Sequence, residues 1–318
     1  MSATPHAIRH LLIPHAAPRP GEPPELPPLP NLTALLARLR VADTLACDDD
    51  SPAEPHELAL ARAHGLPGAP GRIPWAAFDT QCVGTPCAWL RPVHLRLGMD
   101  HIELTAPESL QLTEADSLAL MASCAPLLAG DGVDVRHIAP GRWLAQGELL
   151  RHLTCASPER AKGQRLTRAQ LAQSGDPSHQ RPLARLNAEL EMLLANHRVN
   201  QSREPTGALP VNAVWIHGAG ALPQPVAPGA GIRVATQLSP SGHDATATDA
   251  AAQTAAWQAL DAECAAPLLA SLRAGHPVQL TLSGPRQAIT LAGKDGGAWA
   301  RISSLFGRPS LRDLRQQL

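Results

Sequence analysis

One short block of the chain carries the residue types that bind anions. Arginine offers forked N–H donors and asparagine offers an amide, and together they suit a phosphate or a carboxylate. Within the 24 residues from 197 to 220 these are His197, Arg198, Asn200, Arg203, Asn212, Gly218 and Gly220. If Glu204–Gly207 is a turn, they gather at one end of a strand over 211–216. The block predicts an anion pocket; the alternative is that these side chains cap the preceding helix and tie down the loop.

The two glycines have alternative interpretations of their own. Gly218 and Gly220 follow the predicted strand, where backbone N–H groups can cradle an anion. The third glycine and the downstream acidic residue of a dinucleotide site are missing. A tight turn that needs glycine explains the same pattern, so both interpretations stay open.

Histidines and cysteines indicate no metal site. The fourteen histidines are spread over the whole chain, and none forms an H-x-H or H-E-x-x-H pair. Among the six cysteines only Cys82 and Cys87 are close in sequence, and no second pair completes a zinc site. No nucleophile elbow, Walker motif or catalytic triad is present. We therefore predict no catalytic residue, no metal ligand and no cofactor, with thiols kept reduced in the cytoplasm.

Hydrophobic spacing predicts the elements that would position the anion block. Val211–Ile216 is an apolar run typical of a buried parallel strand, which would cover Trp215 and its neighbours on both faces of a sheet. Pro182 is predicted to open a long helix with a leucine-rich buried side. Residues 155–181 lack periodicity and are predicted to form a loop.

Elsewhere the predicted helices and strands alternate, which favours an α/β or mixed α+β fold. Asn31 is predicted to cap a helix that continues past Leu39 and ends at the acidic run 48–50. Thr113 and Asp116 resemble a capping box at the start of another helix. The other predicted strands are 9–13, 88–97, 101–105, 133–138, 142–146 and 278–282, and the other predicted helices are 55–64 and 249–272, with helix, strand and helix alternating to the end.

Composition and charge exclude several classes of partner. The 318 residues are 44% hydrophobic and 17% charged, which is enough to bury one large core or two ordinary ones. The 27 basic and 28 acidic residues nearly cancel, so neither nucleic acid nor an anionic membrane is a predicted partner. The apolar runs are far shorter than a bilayer span, and no signal-peptide core is present. The sequence predicts a soluble, cytoplasmic protein.

The anion block also carries a family resemblance. Asn196–Pro223 reads NHRVNQSREPTGALPVNAVWIHGAGALP and is similar to a block of archaeal-type cofactor-independent phosphoglycerate mutases. Pro30–Leu35 resembles an N-terminal segment of that family, and residues 94–146 resemble its cap domain. Over nearly its full length the chain resembles the RpfE-type regulatory proteins of proteobacteria. The resemblance implies an alkaline-phosphatase-like mixed or parallel sheet flanked by helices, with 1–85 and 182–318 as the core and 86–181 as a smaller α+β cap subdomain.

The family's catalytic positions are occupied by other residue types. The mutases use two metal ions and a Ser or Thr nucleophile. Where the resemblance places the first metal-binding Asp this sequence has Pro14–His15, and where it places the nucleophile it has Pro55–His56. Ser239 replaces a further Asp while His243 is kept, and Ser283–Gly284 replaces an Asp-His pair. Since two divalent ions need several carboxylates, the resemblance implies a scaffold that has lost its metal centre.

We therefore expect a catalytically degenerate, mutase-like protein that acts by binding. It would sense a small phosphorylated or carboxylated metabolite, or serve a partner protein in regulation. Its expected ligand-binding residues are Asn200, Arg203, Asn212, Gly218 and Gly220. A working phosphomutase or phosphatase is the alternative, and an interaction scaffold without a small-molecule site is a third possibility.

Overall fold

Short strands pair into two larger sheets and two small two-stranded ribbons in the computed structural model. The structure describes residues 7–19, 25–99, 101–167, 171, 173–238, 247–293 and 310–318. The strands are β1 (His10–Ile13), β2 (Arg40–Ala46), β3 (Cys87–Val93), β4 (Leu95–Leu97), β5 (Ile102–Leu104), β6 (Asp134–Ala139), β7 (Arg142–Gln146), β8 (Leu153–Thr154), β9 (Gln173–Ser174), β10 (Ala213–Gly220), β11 (Ile232–Val234), β12 (Val278–Ser283) and β13 (Gln287–Gly293). The helices are α1 (Pro30–Leu36), α2 (Pro55–His64), α3 (Trp75–Thr80), α4 (Glu114–Gly130), α5 (Pro158–Ala161), α6 (Pro177–Ala195), α7 (Arg198–Arg203), α8 (Ala247–Leu260), α9 (Ala266–Arg273) and α10 (Leu311–Gln317).

The chain divides into two compact units. Unit 1 comprises Met1–Asp49, Glu54–His64 and Pro228–Leu318, and unit 2 comprises Asp50–Ala53 and Gly65–Ala227. These bounds differ from the predicted division at 85/86 and 181/182. The assignment of 86–181 as a cap-like insert therefore stays a prediction.

Unit 1 is built on a five-stranded mixed sheet of order β11-β1-β12-β13-β2. β1 lies parallel to both β11 and β12, while β13 is antiparallel to β12 and β2. Side chains of α1, α8 and α9 pack with alternate strand residues on one face, and α2 covers the other face around Leu12 and Ala288. Helices thus flank the sheet on both faces, which confirms the predicted α/β class with a mixed sheet.

Unit 2 contains a four-stranded antiparallel sheet of order β10-β3-β7-β6. Buried residues of α4 and α6 pack on one face, with Trp143 and Leu90. Residues of α3 pack on the other face, with Trp89 and Leu144. Two small ribbons, β4–β5 and β8–β9, complete the unit. Among the described residues, no helix combines the length and the apolarity needed to cross a membrane.

The helix predicted from Asn31 is wrong in its extent and in its cap. The helix ends at Leu36, and residues 40–46 form β2, because pairing with β13 satisfies their backbone groups in a ladder. Leu29 occupies the N-cap position, and the Asn31 amide instead donates to the Asp261 carboxylate, 2.9 Å away. Asp261 Oδ1 also accepts from the Leu32 N–H at 2.7 Å, so this buried carboxylate supplies the missing cap.

The predicted parallel strand at 211–216 is wrong in its pairing. β10 lies at the edge of the antiparallel sheet and pairs with β3. Trp215 and Ile216 are buried as predicted, but Val214 is only half-buried, because an edge strand is not covered on every side.

Three further predicted boundaries are corrected. The long helix begins at Pro177 with Asp176 as its cap, so Pro182 lies inside it, and the predicted loop 155–181 contains α5 and β9. β12 turns directly into β13 with no helix between them. Hydrophobic periodicity does not reveal these boundaries, because a helix cap and a tight turn each depend on a few individual residues.

His10 is expected to make the stability of unit 1 depend on pH. Its Nε2 and the Thr281 Oγ1 are hydrogen-bonded at 2.8 Å, and Thr281 bonds in turn to Thr290 at 2.8 Å. Burial, and then the nearby charge of His64, lowers the pKa of His10 to about 4. Unfolded His10 binds a proton near pH ~6.5, so between these values the unfolded state holds more protons and stability falls as pH falls.

The corresponding variant is His10→Gln, which keeps a polar group near Thr281 and removes the titration. The wild type should lose about 1–2 kcal/mol more unfolding free energy than the variant between pH 7 and pH 5. Urea unfolding at the two pH values measures this difference. Equal losses in both proteins would show that His10 is not held uncharged.

Candidate functional site

Two histidines meet at the carboxyl end of β1, the end of a parallel strand where α/β proteins usually bind ligands. β1 ends at Ile13, and His15 follows in a left-handed conformation with φ 56°. Its ring packs edge-on against the ring of His56 in α2, with 5.5 Å between the ring centroids. Burial, and then the neighbouring His15, lowers the pKa of His56 to about 4. His56 is therefore uncharged at neutral pH.

This histidine pair does not fit a two-metal centre. Imidazoles bind a transition metal but bring no negative charge, whereas a pair of divalent ions needs carboxylates to offset its charge. Ser283, at the end of β12, is buried and donates to the Gly284 carbonyl at 3.3 Å. In the described part of the chain, no three His, Cys, Asp or Glu side chains are grouped so that they could hold a metal. Ser239 and His243 lie outside the described residues.

Asn200, from the predicted anion block, is occupied by backbone contacts. Its Nδ2 donates to the Leu194 carbonyl at 2.8 Å and to the Val211 carbonyl at 2.7 Å. Its Oδ1 accepts from the Val211 N–H at 2.8 Å. The side chain is buried and ties the end of α6 to the residues before β10.

Arg203 and Asn212 also contact backbone. The Arg203 guanidinium is buried and donates to the carbonyls of Leu209 (2.9 Å) and Leu110, with the Asp116 carboxylate 3.9 Å away. The Asn212 amide pairs with Leu95, accepting from its N–H at 2.7 Å and donating to its carbonyl at 2.8 Å. Asn200 and Arg203 thus lie together in α7, and Asn212 lies beside the start of β4.

His197 caps α7, as its Nδ1 accepts from the Val199 N–H at 3.2 Å. Together with the contacts of Asn200 and Arg203, this cap favours the alternative in which the block caps a helix and ties down a loop. Anion binding by these residues stays a prediction.

Gly218 and Gly220 create a bulge in β10 rather than an open loop. Their φ angles are +61° and +139°, and the β10–β3 register shifts between His217 and Gly220. A Cβ on Gly218 would lie 3.0 Å from the Cβ of Trp75, and one on Gly220 would lie 3.1 Å from the Cβ of Pro74. Both glycines therefore permit a close approach of the start of α3, which favours the tight-turn interpretation.

A cluster that the sequence analysis did not identify lies next to this bulge, on the face of the sheet that carries Trp89. Arg142 stacks on the Trp89 ring, 3.7 Å from its centroid, and donates to Asp79 Oδ2 at 2.9 Å. The Trp89 Nε1 donates to the same Asp79 oxygen at 3.1 Å. Arg91 donates to Glu108 Oε1 at 3.1 Å.

Two polar atoms of this cluster are buried without a hydrogen-bond partner among the described residues, Arg91 Nε and His217 Nε2. Burial, and then the charges of Arg91 and Arg142, lowers the pKa of His217 to about 3. A charged residue in the apolar run Cys87–Val93 was the available signal. Without the strand register, however, the position of Arg91 in the sequence does not identify the residues that lie beside it.

Solved structures similar to this chain include a phosphoglycerate mutase and a second archaeal protein. No protein-family model and no curated protein matches the chain. The cofactor-independent phosphoglycerate mutase from Thermoplasma acidophilum DSM 1728 is 13% identical, with a TM-score of 0.37 over 96% of this chain and 94% of that one. The PH0037 protein from Pyrococcus horikoshii is 14% identical, with a TM-score of 0.41 over 92% and 89% of the two chains. These scores are too low to carry an argument about the site, which is made from this chain's own contacts.

Proposed function

We propose that this chain is a catalytically degenerate relative of the phosphoglycerate mutases that binds a small anionic metabolite in a sensing or regulatory role. The observation that carries the proposal is the pair of imidazoles that pack edge-on at the carboxyl end of β1. The resemblance places the first metal-binding Asp and the nucleophile of a two-metal centre at Pro14–His15 and Pro55–His56, and the imidazoles of His15 and uncharged His56 bring no negative charge there. Binding without turnover is the activity that such a site supports.

The arrangement of unit 2 supports an anionic ligand. Arg91, Arg142 and His217 lie on one sheet face. Within the described part of the chain, Arg91 Nε and His217 Nε2 have no hydrogen-bond partner. The carboxylates beside them, on Asp79 and Glu108, are 40% and 70% exposed, and ion pairs with exposed carboxylates are weak in water. Guanidinium groups in such surroundings suit a phosphate or carboxylate group.

Purified protein is expected to hold no stoichiometric pair of Mn²⁺ or Zn²⁺ and to show no phosphoglycerate mutase activity above background. The physical reason is that the described donor set cannot neutralise two divalent ions. Elemental analysis after dialysis against each metal, together with a coupled mutase assay, checks both points. Two tightly held equivalents of metal would establish the enzyme alternative instead.

Thermal shift against a panel of phosphorylated and carboxylated metabolites, with and without Mn²⁺, tests the sensing role. A metabolite that raises the melting temperature without added metal supports it, because a ligand that binds only the folded state stabilises that state. A protein that is stabilised by no metabolite would be an interaction scaffold.

A further inference from the structure

The strand register places two arginines opposite each other on neighbouring strands of the unit 2 sheet, on the same face. In the β3–β7 pair Cys87 lies opposite Gln146 and Leu90 lies opposite Trp143. Continuing this register by one residue brings Arg142 opposite Arg91. Residues in such positions have Cβ atoms about 5 Å apart, and like charges placed there repel each other.

His217 completes the group from the third strand. In the β10–β3 pair His217 lies opposite Trp89, and Trp215 lies opposite Arg91, so His217 and Arg91 are diagonal neighbours on the same face. Diagonal neighbours are within reach of long and aromatic side chains. The charges of both arginines act on the His217 ring.

The polar groups of this cluster are only partly compensated. Arg91 and Arg142 each have one carboxylate, on Glu108 and Asp79, whose side chains are 70% and 40% exposed. Arg91 Nε and His217 Nε2 are buried and have no hydrogen-bond partner among the residues that the structure describes. A buried donor without an acceptor costs free energy, and each such group in a native structure calls for an ion, a water or a ligand.

We propose that Arg91, Arg142 and His217 bind the oxyanion group of a small ligand, a phosphate or a carboxylate. An oxyanion accepts several N–H bonds at once and lowers the repulsion between the two guanidinium groups. The uncharged imidazole contributes one further N–H donor to it. This inference rests on the proposed function, because it names the ligand's chemical class and the place where the ligand binds.

The test uses the full chain with inorganic phosphate and malonate as probes and chloride at matched ionic strength as the reference. Arg142→Gln removes the more exposed guanidinium of the cluster. Arg185→Gln is the matched control, since Arg185 is also an exposed arginine paired with a carboxylate, that of Asp131. It lies on α6, which packs on the opposite sheet face. Calorimetric titration measures the affinities, and circular dichroism checks that both variants are folded.

Phosphate, malonate or both should bind to the wild type and to Arg185→Gln. Arg142→Gln should bind the same anion roughly ten- to a hundredfold more weakly, as expected for the loss of a charge-assisted hydrogen bond. Arg142→Lys, which keeps the charge, should recover part of the affinity. Binding of phosphate alone would identify a phosphoryl group as the ligand's anion, and binding of malonate alone would identify a carboxylate.

Two results would overturn the inference, and they have different consequences for the proposed function. If Arg142→Gln binds an anion as tightly as Arg185→Gln, the ligand binds elsewhere and the sensing role stands. If neither probe binds the wild type more strongly than chloride and no metabolite stabilises it, both the site and the sensing role are wrong.

Discussion

Replacing Trp215 by alanine is expected to lower the free energy of unfolding by about 3–5 kcal/mol, the usual cost of truncating a buried aromatic side chain. Trp215 is 2% exposed and packs with Val93 and Leu95. Its Nε1 donates to the Ala156 carbonyl at 3.0 Å, so truncation also leaves that carbonyl without its donor. Urea unfolding at neutral pH measures the change.

Trp215→Phe is the control for this variant. It keeps most of the ring and loses the hydrogen bond, so its cost should be close to 1–2 kcal/mol. If Trp215→Ala and the wild type are equally stable, the side chain is not buried. The assignment of β10 to this sheet would then be wrong.

Arg203→Ala is expected to lower the free energy of unfolding by about 3 kcal/mol. The guanidinium is 7% exposed and donates to two backbone carbonyls, which lose a charge-assisted donor each. Arg198→Ala is the matched control, because Arg198 is an exposed residue of the same helix and should cost less than about 0.5 kcal/mol. Thermal and urea unfolding of the two variants give the comparison.

The same variant separates the two interpretations of the block at 197–220. If Arg203→Ala is as stable as wild type but loses stabilisation by phosphate, Arg203 belongs to an anion pocket and its structural role is secondary. A large loss of stability, with anion binding by the surviving folded protein unchanged, would place the anion site elsewhere.

Elements with local end signals could be predicted from the sequence. α2 has Pro55 in its first turn and Gly65 directly after its last residue, and α4 has Thr113 accepting from the Asp116 N–H. β2 could not be predicted in this way. Residues 40–46 carry no strong strand pattern, and they become a strand because β13, from the far end of unit 1, pairs with them.

The residues of the candidate sites were likewise predictable only where the requirement is local in sequence. The glycines at 218 and 220 indicate a tight turn by themselves, because a positive φ is a local requirement. Asn200 and Arg203 were recognised as polar groups near a strand, but their partners at Val211 and Leu110 depend on packing. Arg91, Arg142 and His217 come from three strands, and only the register brings them together.

Unit 1 is built from separate segments of the chain, which has a consequence for its folding during synthesis. Residues 65–227 of unit 2 leave the ribosome as one continuous segment, while β1 is made early and its neighbours β11 and β12 are made late. His10 and Thr281 are 271 residues apart, which is a delay of about 15–55 s at ordinary elongation rates of ~5–20 residues per second. Until β11 is synthesised, the apolar run Leu11–Ile13 has neither of its neighbouring strands, and until β12 is synthesised it has only one. An apolar segment exposed in this way is expected to be bound by chaperones, and slow codons between 65 and 227 would lengthen its exposure.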